Sequence, residues 1–146
     1  MKNLIPFLLV FLLISCSNNE NDFGEENDAE IQEYIKANNL DATKTASGLY
    51  YVITDPGNGA KPTANSSVTV NYIGYLTNGT LFDQGKNVTF NLNQVIDGCS
   101  EGLTYFNEDA QGWLLIPSKL GYGNTGSGQI PPKAVLVFKI HLLKIN

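Results

Sequence analysis

Apolar and polar positions change rhythm several times along the chain. Residues 4–14 form an almost unbroken apolar run, preceded by Lys2 and followed by Ser15 and Cys16. The next stretch, SNNENDFGEEN, is polar and acidic with little to bury, the composition of a flexible tether. Ile31, Tyr34 and Ile35 then recur at helical spacing, with Asp28 ahead of them and Asn38 and Asn39 behind. Asp28 can cap and the asparagines can stop, so the spacing predicts a helix of about ten residues from Asp28. A helix that short is marginal alone in water, so its apolar stripe needs a surface to pack on.

Beyond Gly48 the rhythm is that of strands. GLYYVIT (48–54) is closed by the turn Asp55-Pro56-Gly57-Asn58-Gly59, and SVTVNYIGYL (67–76) places Val68, Val70 and Tyr72 on one face. Asn78-Gly79 marks a tight turn. Short strands at 80–83 and 88–92 flank Gln84-Gly85-Lys86. Residues 95–106 lack alternation and hold Val95, Ile96, Cys99, Leu103 and Phe106, which makes them the best candidate for a second short helix. Strand patterns return at 111–116 and 134–145. In the first of these Leu114 and Ile116 should face the core, so alternation turns Trp113 outward, toward the Ile31, Tyr34 and Ile35 stripe. Residues 119–132, rich in glycine and ending in two prolines, form a long loop of the kind that often carries function. The expected fold class is α+β, a mostly antiparallel sheet wrapped around one short helix.

Charge divides the chain. Residues 17–40 hold seven acidic residues and one lysine, whereas residues 41–146 hold seven of each, for a net charge of -5 in 146 residues. The acidity belongs to the N-terminal arm, and the domain is neutral. No basic face suited to a phosphate backbone is visible, so nucleic acid is not an expected partner. Two cysteines and one histidine make no metal-binding cluster, and no metal or cofactor is expected. Cys99 beside Gly98 reads as a small apolar residue. His141, in an apolar strand, reads as structural.

The N-terminal run is too short to span a bilayer stably, and a basic residue, an apolar stretch and a cysteine stand in the order of an export signal. A buried N-terminal helix or strand is the alternative. Leu13-Ile14-Ser15-Cys16 resembles a bacterial lipobox. The resemblance implies a signal peptide over 1–15 and a diacylglycerol on Cys16. It also implies anchoring in the envelope of a gram-negative bacterium, at the outer membrane, on the periplasmic or the surface face. The expected organisation is then a tether over 16–27, a helix and linker over 28–44, and a folded domain over 45–146.

No triad, carboxylate pair or phosphate loop stands out. What stands out is apolar and aromatic: Tyr72, Phe82, Phe90, Val95, Ile96, Tyr122, Ile130 and Phe138, with Asp83 beside Phe82. All can be core. They can equally line a concave site, which would give the hydroxyls and the carboxylate something to pair with. Spacing alone leaves both readings open.

Seven stretches, in order, resemble the FKBP-type peptidyl-prolyl cis-trans isomerases: VTVNYIGYL (68–76), GTLFD (79–83), VTFNL (88–92), QVIDG (94–98), EGL (101–103), IPSKLGYG (116–123) and IPPKAVLVF (130–138). The resemblance covers about Thr45 to Ile145. It implies a twisted antiparallel half-barrel of about five strands around one short helix, with a pocket between them. The helix before the domain is similar to the extension of envelope-located members. By the same resemblance Asp83, Tyr122, Phe82 and Phe138 are the catalytic set. Tyr72, Val88, Phe90, Val95, Ile96, Cys99 and Ile130 bind substrate, with the Ile96 backbone N–H on a substrate carbonyl. The implied activity is rotation of X-Pro bonds without a cofactor, and the implied partners are folding proteins and proline peptides, met by a monomer. Two departures stand out: Cys99 replaces the usual tryptophan under the proline ring, and 107–112 replaces a tighter turn. A non-catalytic proline-peptide or chaperone module, or a structural lipoprotein that uses the fold as a scaffold, is the alternative.

Overall fold

A computed structural model describes residues 23–146. Cys16, the signal segment and most of the expected tether lie outside the described residues. Six strands form one antiparallel sheet: β1 (Thr43–Lys44), β2 (Tyr50–Asp55), β3 (Ser67–Leu76), β4 (Leu81–Asn91), β5 (Gln111–Ile116) and β6 (Leu136–Ile145), in the order β1-β2-β5-β6-β3-β4. The α+β reading therefore holds, with the two-residue β1 added at one edge.

The two short strands expected around Gln84-Gly85-Lys86 are one continuous strand. The turn signal is absorbed as a bulge: Val70 pairs with Val88 but Tyr72 with Gly85, so β4 gains a residue on β3. Asn87 takes the left-handed conformation at φ 52, and its N–H donates to the Asn71 side chain at 2.8 Å. Gly85 is required beside the bulge, because a Cβ there would stand 2.6 Å from Val88 and 2.8 Å from the Tyr72 ring.

Both faces of the sheet are apolar and both are covered. On the concave face Leu49, Val68, Val70, Leu114, Ile116 and Leu142 pack under helix α2 (Asp97–Gly102) with Leu103 and Phe106. The expected helix over 95–106 is shorter than its apolar set. Val95 and Ile96 are extended, and 3-10 turns at Leu92–Gln94 and Leu103–Tyr105 flank the six helical residues. Two glycines let α2 lie on β5. A Cβ on Gly98 would stand 2.4 Å from Ile116, and one on Gly102 2.5 Å from Leu114.

The convex face carries Tyr50, Val52, Leu115, Val135 and Val137, and helix α1 (Gly24–Ala37) covers it with Ile31, Tyr34 and Ile35. Trp113 faces this side, as alternation requires. Its ring lies 6.4 Å from that of Tyr34, and the Lys139 ammonium stands 4.3 Å over it. The helix begins at Gly24, ahead of Asp28, so residues 24–27 are helical and not tether. Tertiary contacts override a weak local pattern here. Asn27 is buried, and its amide bonds to Ser118 and Lys133. Asp28 is not the cap either. Its carboxylate takes Lys44 at 2.7 Å and the Tyr50 hydroxyl at 2.9 Å, and the Lys44 bond draws its pKa below the ordinary carboxylate value. Glu30 accepts a bond from the Thr77 hydroxyl, at the β3–β4 turn.

Ile31 is fully buried between α1 and the sheet. Ile31→Ala is expected to cost about 2–5 kcal/mol in urea unfolding, the range for emptying a buried aliphatic site. The same variant shifts the emission of Trp113, the only tryptophan, because its cover loosens.

Candidate active site

A cleft of about 540 Å³ runs between the concave face and α2. β3 contributes Val70 and Tyr72 through its inward alternation, and β4 contributes Asp83 and Phe90. The 3-10 turn before α2 presents Gln94, the extended link after it Val95 and Ile96, and the helix adds Cys99 above Leu103. Phe138 and Ile140 come from β6, and Tyr122 leans over from the long loop.

One polar pair stands inside this apolar wall. The Tyr72 hydroxyl donates to Asp83 Oδ2 at 2.9 Å, and the Gln84 N–H donates to the other oxygen at 2.8 Å. Both carboxylate oxygens are thereby engaged, which holds the group against the wall. The aromatic side of the cleft is built from ring-on-ring contacts. Phe82 meets Phe138 edge to face at 5.4 Å, and Tyr72 meets Phe138 at 6.2 Å, geometries favoured by ring quadrupoles. Burial pushes the Tyr72 phenol up to about 12, helped by the bond and charge of Asp83. Tyr122 is 38% exposed at the cleft mouth, and its phenol is also raised, first by burial and then by Cys99 and Asp83. Burial alone pushes the Cys99 thiol up to about 12, although the residue keeps some contact with the open cleft. Cys99 is therefore a neutral lining group, not a nucleophile.

Residues 58–143 match the family model for FKBP-type peptidyl-prolyl cis-trans isomerase. The chain belongs to this family. It is 44% identical over 127 residues to an FKBP-type peptidyl-prolyl cis-trans isomerase, FkpA, of Aeromonas hydrophila, covering 83% of this chain and 47% of that protein. The outer membrane protein MIP of Legionella longbeachae is 36% identical, with 100% of this chain and 66% of that protein covered. This FKBP-type chain thus spans about half to two thirds of the length of these relatives. Among solved structures, FkpA from Escherichia coli superposes with a TM-score of 0.74 at 33% identity, over 84% of this chain and 61% of that one. A peptidyl-prolyl cis-trans isomerase from Pseudomonas syringae gives 0.73 at 32% identity, over 86% and 98%.

Of the residues singled out in the sequence, Tyr72, Asp83, Phe90, Val95, Ile96, Cys99, Tyr122 and Phe138 line the FKBP-type cleft together. Phe82, Val88 and Ile130 do not line it. Phe82 backs Phe138 and fills the space over Gly74, where a Cβ would come within 2.7 Å of its ring. Val88 packs behind Tyr72 against Gly85. Ile130 is buried in the long loop, where it closes a small bridge with Ser127. Val70, Gln94, Leu103 and Ile140 line the cleft without having been named as site residues. Alternation already turns Val70 and Ile140 inward, and Leu103 belongs to the apolar set of 95–106. Gln94 opens the QVIDG stretch, but no apolar or alternating pattern turns it inward, and its position follows from the 3-10 turn at Leu92–Gln94. His141 bonds Asp109 at 3.0 Å at the surface and takes no part in the cleft. A wider hollow of about 640 Å³ lies around Lys86, Trp113 and Lys139 and shares only Tyr72 and Ile140 with the cleft.

A phenol with a raised pKa stabilises the fold fully below the ordinary tyrosine value of 10.0, and that contribution is lost as pH rises through about 12. At about pH 11 Tyr72 should therefore remain largely neutral while an ordinary tyrosine ionises. The tyrosinate absorbance difference between parent and Tyr72→Phe reads this directly. Asp83→Asn removes the neighbouring charge and is expected to move the Tyr72 transition down toward its ordinary value.

Proposed function

We propose that this chain catalyses cis–trans isomerisation of X-Pro peptide bonds in proteins folding in a bacterial envelope. The observation that carries the reading is the apolar cleft itself, with the Tyr72–Asp83 pair set into an aromatic wall, in a chain of the FKBP-type family.

Rotation of an X-Pro bond is opposed by amide resonance, with a barrier of about 20 kcal/mol. No covalent bond is made or broken, so the chemistry asks for a shaped and dry environment rather than a nucleophile. Phe138, Phe90, Ile96 and the face of Tyr72 hold the proline ring. The rotated amide loses its delocalisation, and its polarity falls as it twists. An apolar cleft favours that form over the planar, strongly hydrated one. The Ile96 N–H, for which no acceptor is found among the described residues, donates to a substrate carbonyl. Asp83, Tyr122 and Phe82 complete the catalytic set with Phe138: the carboxylate supplies a fixed field, Tyr122 orients the peptide, and Phe82 backs the Phe138 ring. Val88, Val95 and Ile130 shape the walls from behind or beside. Isomerisation steps are slow enough in folding chains for such catalysis to matter.

The envelope setting rests on the lipobox-like Leu13-Ile14-Ser15-Cys16 and on a relative named as an outer membrane protein that aligns with the whole chain. Cys16 carries lipid in this reading, and the domain is held at the outer membrane. Cys16→Ser is expected to move the protein from the membrane fraction to the soluble fraction, as immunoblots of fractionated cells would show.

Cys99 favours a second reading. A cysteine fills much less space than an indole, so the cleft can bind proline peptides without pressing the ring into its twisted form. Exchange NMR on an Ala-Pro-Phe peptide separates the two. Cis–trans exchange that grows with catalytic amounts of protein supports the isomerase. Peptide shifts without faster exchange support the binding module. Asp83→Ala and Phe138→Ala are expected to keep the fold and to slow exchange about tenfold, the worth of one charge-assisted contact or one lost ring edge. Parent rates in both variants would remove the assignment. Cys99→Trp then measures what the missing indole contributes.

A further inference from the structure

Asn27 lies outside the family-matching region, yet it reaches both ends of the loop that carries Tyr122. Only 3% of the residue is exposed. Its Oδ1 accepts two bonds of 2.7 Å, from the Ser118 backbone N–H and from the Ser118 hydroxyl. Its Nδ2 donates to the Lys133 carbonyl at 3.1 Å. The loop closes a second time through Gly123, whose N–H donates to the Ser118 carbonyl at 2.8 Å and whose carbonyl accepts from the Lys133 N–H at 2.8 Å. Tyr122 is therefore one residue from the node that joins the two loop ends. Lys133 holds φ at 64°, a left-handed backbone that costs a residue with a side chain and persists only where its surroundings impose it. Its ammonium also rests 3.6 Å over the Phe23 ring, just before α1. Asp28 and Glu30 of α1 tie to other parts of the domain, Asp28 to Lys44 and Tyr50 and Glu30 to Thr77. Through Asn27 this helix grips the loop.

We propose that Asn27 is a positioning residue for the proline cleft. By joining Ser118 to Lys133 across the base of the loop it sets where Tyr122 stands over the cleft, and through Tyr122 it sets the affinity for a proline peptide. This rests on the isomerase reading for its functional half. The physical reason is closure entropy. A glycine-rich loop samples many arrangements unless its ends are fixed, and one buried amide here fixes both ends with three bonds. Removing it leaves the buried Ser118 N–H and hydroxyl without a partner.

The test compares the full chain with Asn27→Ala by amide hydrogen exchange and by steady-state isomerisation of a proline tetrapeptide. Val52→Ala, a convex-face substitution distant from the loop, serves as the control for general loss of stability. Exchange at the amides of 121–126 is expected to rise about tenfold in Asn27→Ala while β5 and β6 keep parent rates, the signature of one local opening. KM should rise several-fold with kcat nearly unchanged, a split that general destabilisation does not produce. Asn27→Asp keeps an acceptor for Ser118 but loses the donor to the Lys133 carbonyl, so it no longer joins the two ends and should leave both loop exchange and KM raised. Loop exchange and KM in Asn27→Ala no different from those in Val52→Ala would overturn the proposal. If Asn27→Ala does not fold, Ser118→Ala takes its place with an expected rise in loop exchange of about threefold, for one of the bonds lost, and parent exchange there overturns it equally. The two failures are separable: a parent chain without turnover removes the isomerase reading, whereas unchanged loop exchange removes the role of Asn27.

Discussion

A helix of six residues cannot hold itself together in water, and α2 exists because β5 lies close beneath it. The approach is possible only at Gly98 and Gly102, where any side chain would run into Ile116 and Leu114. Packed that closely, α2 brings Ile96 and Cys99 to a fixed height over the sheet, and the space left beside it is the cleft. A larger residue at either glycine would lift the helix and open the floor. Cleft depth, the direction of the Ile96 N–H and burial of the Cys99 thiol all depend on this one contact.

The cleft combines groups that do not ordinarily share a wall. Apolar lining favours desolvation, yet Asp83 and Tyr72 stand in it. They persist because each satisfies the other, with the Gln84 N–H taking the remaining carboxylate oxygen. Asp83 is exposed and Tyr72 half-buried, so the carboxylate keeps its contact with water while it gives the phenol a fixed acceptor. The bulge in β4 belongs to the same arrangement. It changes the register between Val88 and Gly85, so that Phe90 and Asp83 both reach the cleft from one strand while Val88 packs behind it.

The opposite face is organised by different means. α1 covers Val52, Leu115 and Val137 with one apolar stripe, then adds polar ties to three separate parts of the domain through Asn27, Asp28 and Glu30. With both faces covered, the central strands can be apolar on both sides, as the LLI of β5 and the LVF of β6 are. The helix is therefore part of the folded unit and not an appendage to it. Its first turn also connects the convex side to the loop at the mouth of the cleft.

Sequence by itself determined the class of fold, most strand positions and the residue types of the cleft, because alternation and turn chemistry are local signals. Val68, Val70 and Tyr72 had to share a face, and Trp113 had to oppose Leu114. The recurring motifs identified the family for the same reason, since each is a short run of neighbours. What tertiary structure alone decided was where local preference lost to a distant contact. Residues 24–27 are acidic, amide-rich and tether-like in isolation, but burial of the Asn27 amide against Ser118 and Lys133 draws them into the helix. Gln84-Gly85-Lys86 is a turn signal that pairing with β3 converts into a bulge. Phe82 and Asp83 are adjacent in sequence and alternation would set them on opposite faces, yet a second irregularity in the β3–β4 pairing turns both to the concave side, Phe82 edge-on to Phe138 and Asp83 into the cleft. Gln94 reaches the cleft only through the 3-10 turn before α2. Such choices are settled by which partner lies across the sheet, and that information is nowhere in the neighbouring residues.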